Sequence, residues 1–108
     1  MTTQIVFSAV NIPANSSIYS STIDLAQYDN SMLLLEFDQP HFVNIYRSDN
    51  NTERFLFQTY DTRQGKNVII IPTFAFLLQL NWLTIEVFNT GLLSGTCNGR
   101  LILTALGE

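Results

Sequence analysis

The residues that decide the fold are Asn81-Trp-Leu-Thr-Ile-Glu-Val-Phe-Asn-Thr-Gly91. Apolar residues alternate with other residues through the centre of this stretch, and most of its members favour β-structure. The apolar set is Leu83, Ile85 and Val87. This period of two is typical of a half-buried β-strand. Asn89 and Gly91 tolerate positive φ angles, so they predict a turn at its end.

The second face of this strand carries large aromatic side chains. Trp82 and Phe88 are in phase with Thr84 and Glu86, on the side that would meet water in a simple monomer. We therefore expect another surface to cover Trp82 and Phe88, and we assign both residues to an interface.

Short β-patterns separated by turn residues recur along the whole chain, and no long amphipathic helix interrupts them. The predicted strands are Gln4–Val10, Ile18–Leu25, Met32–Asp38, His41–Arg47, Glu53–Tyr60, Asn67–Ile71, Asn81–Phe88 and Thr96–Ala105. We predict an all-β protein, an antiparallel β-sandwich of jelly-roll type with about eight strands. Residues 1–108 are expected to form a single domain. The segment Phe74–Leu80 fits either a strand or a short helical turn.

The strand Met32–Asp38 is apolar on both faces. Leu33 and Leu35 have one phase, and Met32 and Leu34 have the other. A strand of this kind is covered on both sides or lies at an interface. Met32 and Leu34 therefore join Trp82 and Phe88 as predicted interface residues.

The composition favours a protein that packs against copies or partners. Only 13% of the 108 residues are charged, about half of the usual share of roughly 25%. The net charge is −4 and Lys66 is the only lysine, so we expect neither nucleic-acid binding nor docking on an anionic membrane. Met1–Gln4 lacks the features of a signal peptide. The apolar run Val68–Leu83 is too interrupted for a membrane helix.

No set of residues predicts catalysis, a metal site or a cofactor. His41 is the only histidine, and Asp38 is its nearest candidate partner; we expect an edge histidine that hydrogen-bonds locally. Cys97 is the only cysteine, which excludes an intramolecular disulfide, and we expect it to be buried. The acidic turn Asp49–Glu53 lacks the spacing of a calcium loop. We therefore predict a protein that is not an enzyme.

An alternative is a carbohydrate-binding or host-receptor-binding module. Aromatic rings on a sandwich can stack on sugar rings. Tyr46 and Tyr60 are the candidate ligand-binding residues, and Trp82 is a further stacking candidate. Neighbours that could bond hydroxyl groups are Asn44, Arg47, Asn81 and Glu86.

Three stretches together resemble the small β-sandwich virion structural proteins of tailed bacteriophages. They are Ser20-Ser-Thr-Ile-Asp-Leu25, the strand–turn–strand segment Phe42–Phe57, and Leu83–Gly91 before a final strand. The resemblance implies a non-enzymatic capsid decoration or cement subunit, or a small neck or tail component. It implies assembly in the host cytoplasm as a homo-oligomer, such as a trimer, that contacts other capsid or virion proteins.

Overall fold

The computed structural model describes residues 1–49, 53–71 and 80–105. These residues form nine strands. In chain order they are β1 (Thr2–Ile12), β2 (Ser17–Tyr19), β3 (Ile23–Asp24), β4 (Tyr28–Phe37), β5 (His41–Asp49), β6 (Glu53–Thr62), β7 (Gly65–Ile71), β8 (Trp82–Asn89) and β9 (Gly95–Ala105). Within the described ranges, no helix is long and apolar enough to span a membrane.

The strands form two antiparallel sheets. The four-stranded sheet has the order β1-β9-β4-β7, and the five-stranded sheet has the order β2-β8-β5-β6, with β3 also paired to β8. The predicted all-β antiparallel sandwich is confirmed. The stretch that begins at Asn81 supplies β8, which lies between β5 on one side and β2 and β3 on the other.

The predicted strand Ile18–Leu25 is divided into β2 and β3, which adds a strand to the expected number. Ser20 is the reason for the division. Its hydroxyl accepts a hydrogen bond from the backbone N–H of Ile85 at 2.9 Å, while its own N–H donates to the Ile85 carbonyl at 2.7 Å. A side chain thus takes the place of a backbone carbonyl in the ladder, and the chain bulges away before Ile23 pairs with Leu83.

The core lies between the sheets and contains the residues with the predicted inward phase. It is built from Phe7, Ile12, Ile23, Leu25, Leu33, Leu35, Phe37, Val43, Ile45, Ile69, Ile71, Leu83, Ile85, Val87, Cys97, Leu101 and Leu103. Cys97 is buried, as expected. Burial of this many apolar side chains supplies the main favourable term in folding.

Two predicted features fall partly on residues outside the described ranges. The choice between strand and helix for Phe74–Leu80 concerns residues 74–79, which are not described. The turn of the β5–β6 hairpin includes residues 50–52, which are also outside these ranges. The hairpin itself is confirmed, since β5 pairs with β6 from His41 opposite Thr62 to Asp49 opposite Glu53.

Candidate interaction surfaces

The outer face of the four-stranded sheet carries a patch of apolar side chains. Strand pairing aligns two adjacent rows of side chains across the sheet. One row is Ile5, Arg100, Leu34 and Val68, and the other is Thr3, Ile102, Met32 and Ile70. We call the six apolar members the apolar face: Ile5, Met32, Leu34, Val68, Ile70 and Ile102.

Three residues of the apolar face are strongly exposed. The exposed fractions of Ile5, Val68 and Ile70 are 66%, 64% and 63%, whereas Met32 and Leu34 are half-buried between them. Scattered exposed apolar side chains are ordinary on protein surfaces, but a contiguous patch is typical of an interaction site. Met32 and Leu34, predicted as interface residues, thus lie at the centre of such a patch.

A groove of about 430 Å³ runs beside the apolar face. Ile5, Leu34 and Val68 contribute apolar walls, and Arg100, Glu36 and Lys66 line its polar side. The Lys66 ammonium lies 4.0 Å from a Glu36 carboxylate oxygen, and both side chains are largely exposed. Within the described residues Arg100 has no ion-pair partner. The groove therefore combines apolar walls with a guanidinium that is free to meet an acidic group.

Trp82 and Phe88 lie on the opposite side of the molecule from Met32 and Leu34. Both occupy the outer phase of β8 in the five-stranded sheet, and both are half-buried. Phe88 pairs with Phe42 on β5, and Trp82 is flanked by Asp24 and Ser48. The four predicted interface residues therefore belong to two surfaces.

The outer face of the five-stranded sheet also carries a compact polar cluster around Glu86. Glu86 is 7% exposed. Its Oε1 accepts hydrogen bonds from Asn44 Nδ2 at 2.9 Å and from the Tyr46 hydroxyl at 2.8 Å. The ring centroids of Tyr19 and Tyr46 are 6.1 Å apart, and the guanidinium carbon of Arg54 lies 4.7 Å from the centroid of the Tyr19 ring. We call Tyr19, Asn44, Tyr46, Arg54 and Glu86 the polar cluster.

The hydrogen bonds of the polar cluster keep the buried carboxylate charged. Desolvation raises the pKa of Glu86, but hydrogen bonds from Asn44, Tyr46, Ser17 and Tyr19 outweigh it, and the net pKa is lowered. Burial, assisted by the Glu86 hydrogen bond, raises the pKa of Tyr46 to about 12. The hydroxyl of Tyr46 therefore stays protonated and able to donate at neutral pH.

The second predicted ligand-binding tyrosine is not part of this cluster. Tyr60 pairs with Val43, faces the inner side of its sheet and packs half-buried against the core. Its hydroxyl donates to Gln58 Oε1 at 2.7 Å. Arg47, considered as a sugar-bonding residue, is 2% exposed and donates from Nε to the Leu80 carbonyl. The structure therefore brings Tyr46 together with Asn44 and Glu86, but not with Tyr60 or Arg47.

His41 differs from the expectation in its position. It lies on β5, a central strand, and is completely buried, so the expectation of an edge residue is wrong. The local hydrogen bond is present, since His41 Nδ1 lies 2.7 Å from the Gln39 carbonyl oxygen. Asp38, its predicted candidate partner, instead accepts a hydrogen bond at Oδ1 from the Thr96 N–H at 3.0 Å. Burial lowers the pKa of His41, so its ring is neutral at pH 7.

Sequence reasoning missed two members of the polar cluster, Tyr19 as a neighbour of Glu86 and Arg54 as a cover for both rings. Tyr19 is opposite Glu86 in the β2–β8 pairing, whereas Arg54 reaches across β5 from β6. The signal would have been the order of the strands together with the division of Ile18–Leu25 into β2 and β3, because within one continuous strand Tyr19 shares the phase of the buried Ile23.

Comparison with known proteins finds no matching protein-family model and no matching curated protein. Solved structures do resemble the fold. The exported protein XepA of PBSX has a TM-score of 0.77 at 15% sequence identity, over 99% of this chain and 38% of that one. A chain of the infectious bursal disease virus Gx strain has a TM-score of 0.62 at 14% identity, over 99% of this chain and 32% of that one.

The SPBc2 prophage-derived protein YomS covers nearly all of both chains. Its TM-score is 0.57 at 15% identity, over 93% of this chain and 90% of that one. The present chain thus spans about a third of the length of the first two proteins and nearly all of the third. At these identities the likeness shows the fold, a β-sandwich that is also found in proteins of phage and viral origin.

Proposed function

We propose that this chain is a non-enzymatic structural protein of a bacteriophage particle, most specifically a capsid decoration or cement subunit. The observation that carries the proposal is the apolar face, a contiguous patch with three side chains more than 60% exposed. Each Å² of apolar surface removed from water contributes about 25 cal/mol. A standard interface buries roughly 800 Å² on each partner, and the apolar face on the four-stranded sheet is the surface proposed for such a contact.

Two further observations support this reading. The charged fraction of 13% is low, as suits a surface that is covered in its working state. The fold is shared with two phage-derived proteins and a viral protein, which raises the expectation of a particle component by analogy. The proposal includes assembly in the host cytoplasm and a symmetric homo-oligomer, such as a trimer, within the virion.

The test compares a variant of the apolar face with a matched variant elsewhere. Ile70→Gln alters a residue that is 63% exposed on β7, and Leu56→Gln alters one that is 58% exposed on β6 of the other sheet. We expect the wild type and Leu56→Gln to co-sediment with tailed-phage heads that lack decoration subunits, and Ile70→Gln to bind at least tenfold more weakly. Equal binding by the two variants would remove the apolar face from the proposal.

The polar cluster favours a second candidate, a carbohydrate-binding or host-receptor-binding module. Tyr19 is 50% exposed, and its ring is held in place by Arg54, Tyr46 and the buried Glu86. A glycan array probed with wild type and with Tyr19→Ala tests this candidate. Signals that disappear in Tyr19→Ala support it, whereas an array without signals from the folded wild type removes it.

A further inference from the structure

The loop between β8 and β9 presents two adjacent leucines to solvent. Leu92 is 92% exposed and Leu93 is 68% exposed. We call this pair the leucine tip. Burial of such apolar side chains is favourable, and full exposure forgoes this stabilisation. A partner surface that covers the tip would recover it.

The loop that carries the leucine tip is fixed by hydrogen bonds from Asn89. Asn89 is completely buried, and its Nδ2 donates to the carbonyls of Ile12 at 3.0 Å and Leu93 at 2.9 Å. Its Oδ1 accepts from the Gly91 N–H at 2.8 Å. A Cβ atom at Gly91 would collide with the Gln39 side chain, so the loop packs directly against the turn between β4 and β5. Because the loop is already ordered, binding through the tip costs little conformational entropy.

The groove beside the apolar face is a recess with apolar walls and a polar side. Its volume of about 430 Å³ lies in the usual range of roughly 300–1,000 Å³ for binding pockets. Ile5, Leu34 and Val68 supply apolar walls, and Arg100 stands at its rim. The chain therefore carries both a projecting apolar element and a recess that can receive it.

Charge also matches between the two elements. Asp38 is exposed at the base of the tip, where it accepts from the N–H of Thr96, next to Gly95. Arg100 at the groove lacks an ion-pair partner among the described residues. Insertion of the tip into the groove would bring the Asp38 carboxylate of one copy towards the Arg100 guanidinium of the next. This attraction favours the correct orientation of the two copies.

We infer that the leucine tip of one copy inserts into the groove of the next copy. The inference rests on the proposed function, since it names a second copy as the occupant of the apolar side of the molecule. Tip and groove are different patches, so the contact is head-to-tail, and such contacts build closed rings when the rotation between copies closes.

Complementation between two variants tests the inference. The tip variant carries Leu92→Ser and Leu93→Ser, and the groove variant carries Val68→Glu. By size-exclusion chromatography with light scattering, we expect each variant alone to be a monomer. Mixed in equal amounts, they should form a heterodimer, because the intact tip of one fits the intact groove of the other. Unchanged melting temperatures confirm that both variants are folded.

The other outcomes separate this inference from the proposed function. If the tip variant keeps the wild-type mass while Ile70→Gln, which lies outside the groove, becomes a monomer, the inference is wrong and the apolar face is still an interface. If the wild type is an oligomer and both variants are monomers that do not complement each other, copies meet through identical patches, and the inference is also wrong. If every variant keeps the wild-type mass, both proposals lose their support.

Cross-linking gives a direct geometric check. Single-cysteine chains are made with Leu92→Cys, Val68→Cys or Leu56→Cys, each with Cys97→Ala. We expect mild oxidation to join the Leu92→Cys and Val68→Cys chains at least tenfold faster than the Leu92→Cys and Leu56→Cys chains. Equal rates would mean that the tip has no preference for the groove.

Discussion

The hydroxyl of Tyr46 donates a hydrogen bond of 2.8 Å to Oε1 of Glu86, across the neighbouring strands β5 and β8. Hydrogen bonds to charged groups contribute roughly 1.5–3 kcal/mol, against about 0.5–1.5 kcal/mol for neutral pairs. Tyr46→Phe should therefore lower the free energy of unfolding by about 2 kcal/mol, measured by urea denaturation. Tyr60→Phe is the matched control, since its hydroxyl donates to the neutral Gln58 side chain, and it should cost less.

The hydrogen bond between Tyr46 and Glu86 should also affect how stability depends on pH under acidic conditions. The folded-state pKa of Glu86 is lowered from 4.5, so its stabilisation is present above about pH 4.5 and is lost as the pH falls through the folded-state pKa. Tyr46→Phe removes one cause of that lowering. Its stability should therefore decline less steeply below about pH 4.5 than that of the wild type. If the free energy of unfolding fell equally steeply with pH in the two proteins, the result would contradict a charged carboxylate in this hydrogen bond.

His41 should make stability depend on pH in a higher range. Its folded-state pKa is lowered from 6.5, mainly because burial disfavours the charged ring. The unfolded chain therefore takes up a proton more readily, so the stability contributed by the neutral ring is lost as the pH falls below about 6.5. Urea denaturation at about pH 7.5 and 5.5 should show this decline in the wild type, and His41→Leu should reduce it. An undiminished decline in His41→Leu would assign the effect to other groups.

Asn89 should be among the polar residues most sensitive to substitution. Asn89→Ala leaves the carbonyls of Ile12 and Leu93 and the N–H of Gly91 without their partner. We expect a loss of about 2–4 kcal/mol in the free energy of unfolding. Asn89→Asp should cost more at neutral pH, because a carboxylate oxygen would face two carbonyl oxygens.

The exposed Asn98 provides the comparison for Asn89. Its side chain accepts one hydrogen bond of 2.8 Å, from the N–H of Ala9, where β1 adopts a positive φ of 48°. Asn98→Ala should cost only about 0.5–1.5 kcal/mol. A loss as large as that of Asn89→Ala would show that burial of the amide does not set the difference.

The thiol of Cys97 should be inert in the folded protein. Burial, with a smaller effect of Asp38, raises its pKa to about 12, and the side chain is completely buried. Since the thiolate is the reactive form, labelling by DTNB at about pH 8 should follow global unfolding and accelerate with urea in step with loss of structure. Rapid labelling without denaturant would contradict the burial of this residue.

Local alternation predicted most of the fold. The phases of Leu83, Ile85 and Val87 in β8 and of Leu33 and Leu35 in β4 placed these residues correctly in the core. Alternation fixes the face of each side chain within its own strand, but it does not fix which strands are neighbours. For this reason Glu86 could be assigned to the outer side of β8, whereas its contact with Tyr19 could not.

The candidate surfaces were less predictable from the sequence than the core. Met32 and Leu34 were identified because both faces of β4 are apolar. Their position beside Ile5, Val68 and Ile70 depends on the strand order β1-β9-β4-β7. Arg47 shares the general tendency of arginine to be exposed, and its burial follows from a tertiary contact with the Leu80 carbonyl. Ser20 shows the same limit, because its role as a ladder acceptor depends on the position of Ile85.

The central claim, that the apolar face is an interface, is tested most directly by sedimentation equilibrium of the wild-type chain over a wide range of concentrations. The account predicts a stable homo-oligomer that dissociates to folded monomers when Val68, which belongs to both the apolar face and the groove, is replaced by Glu. A wild-type chain that stays monomeric at every concentration would contradict self-association through this face.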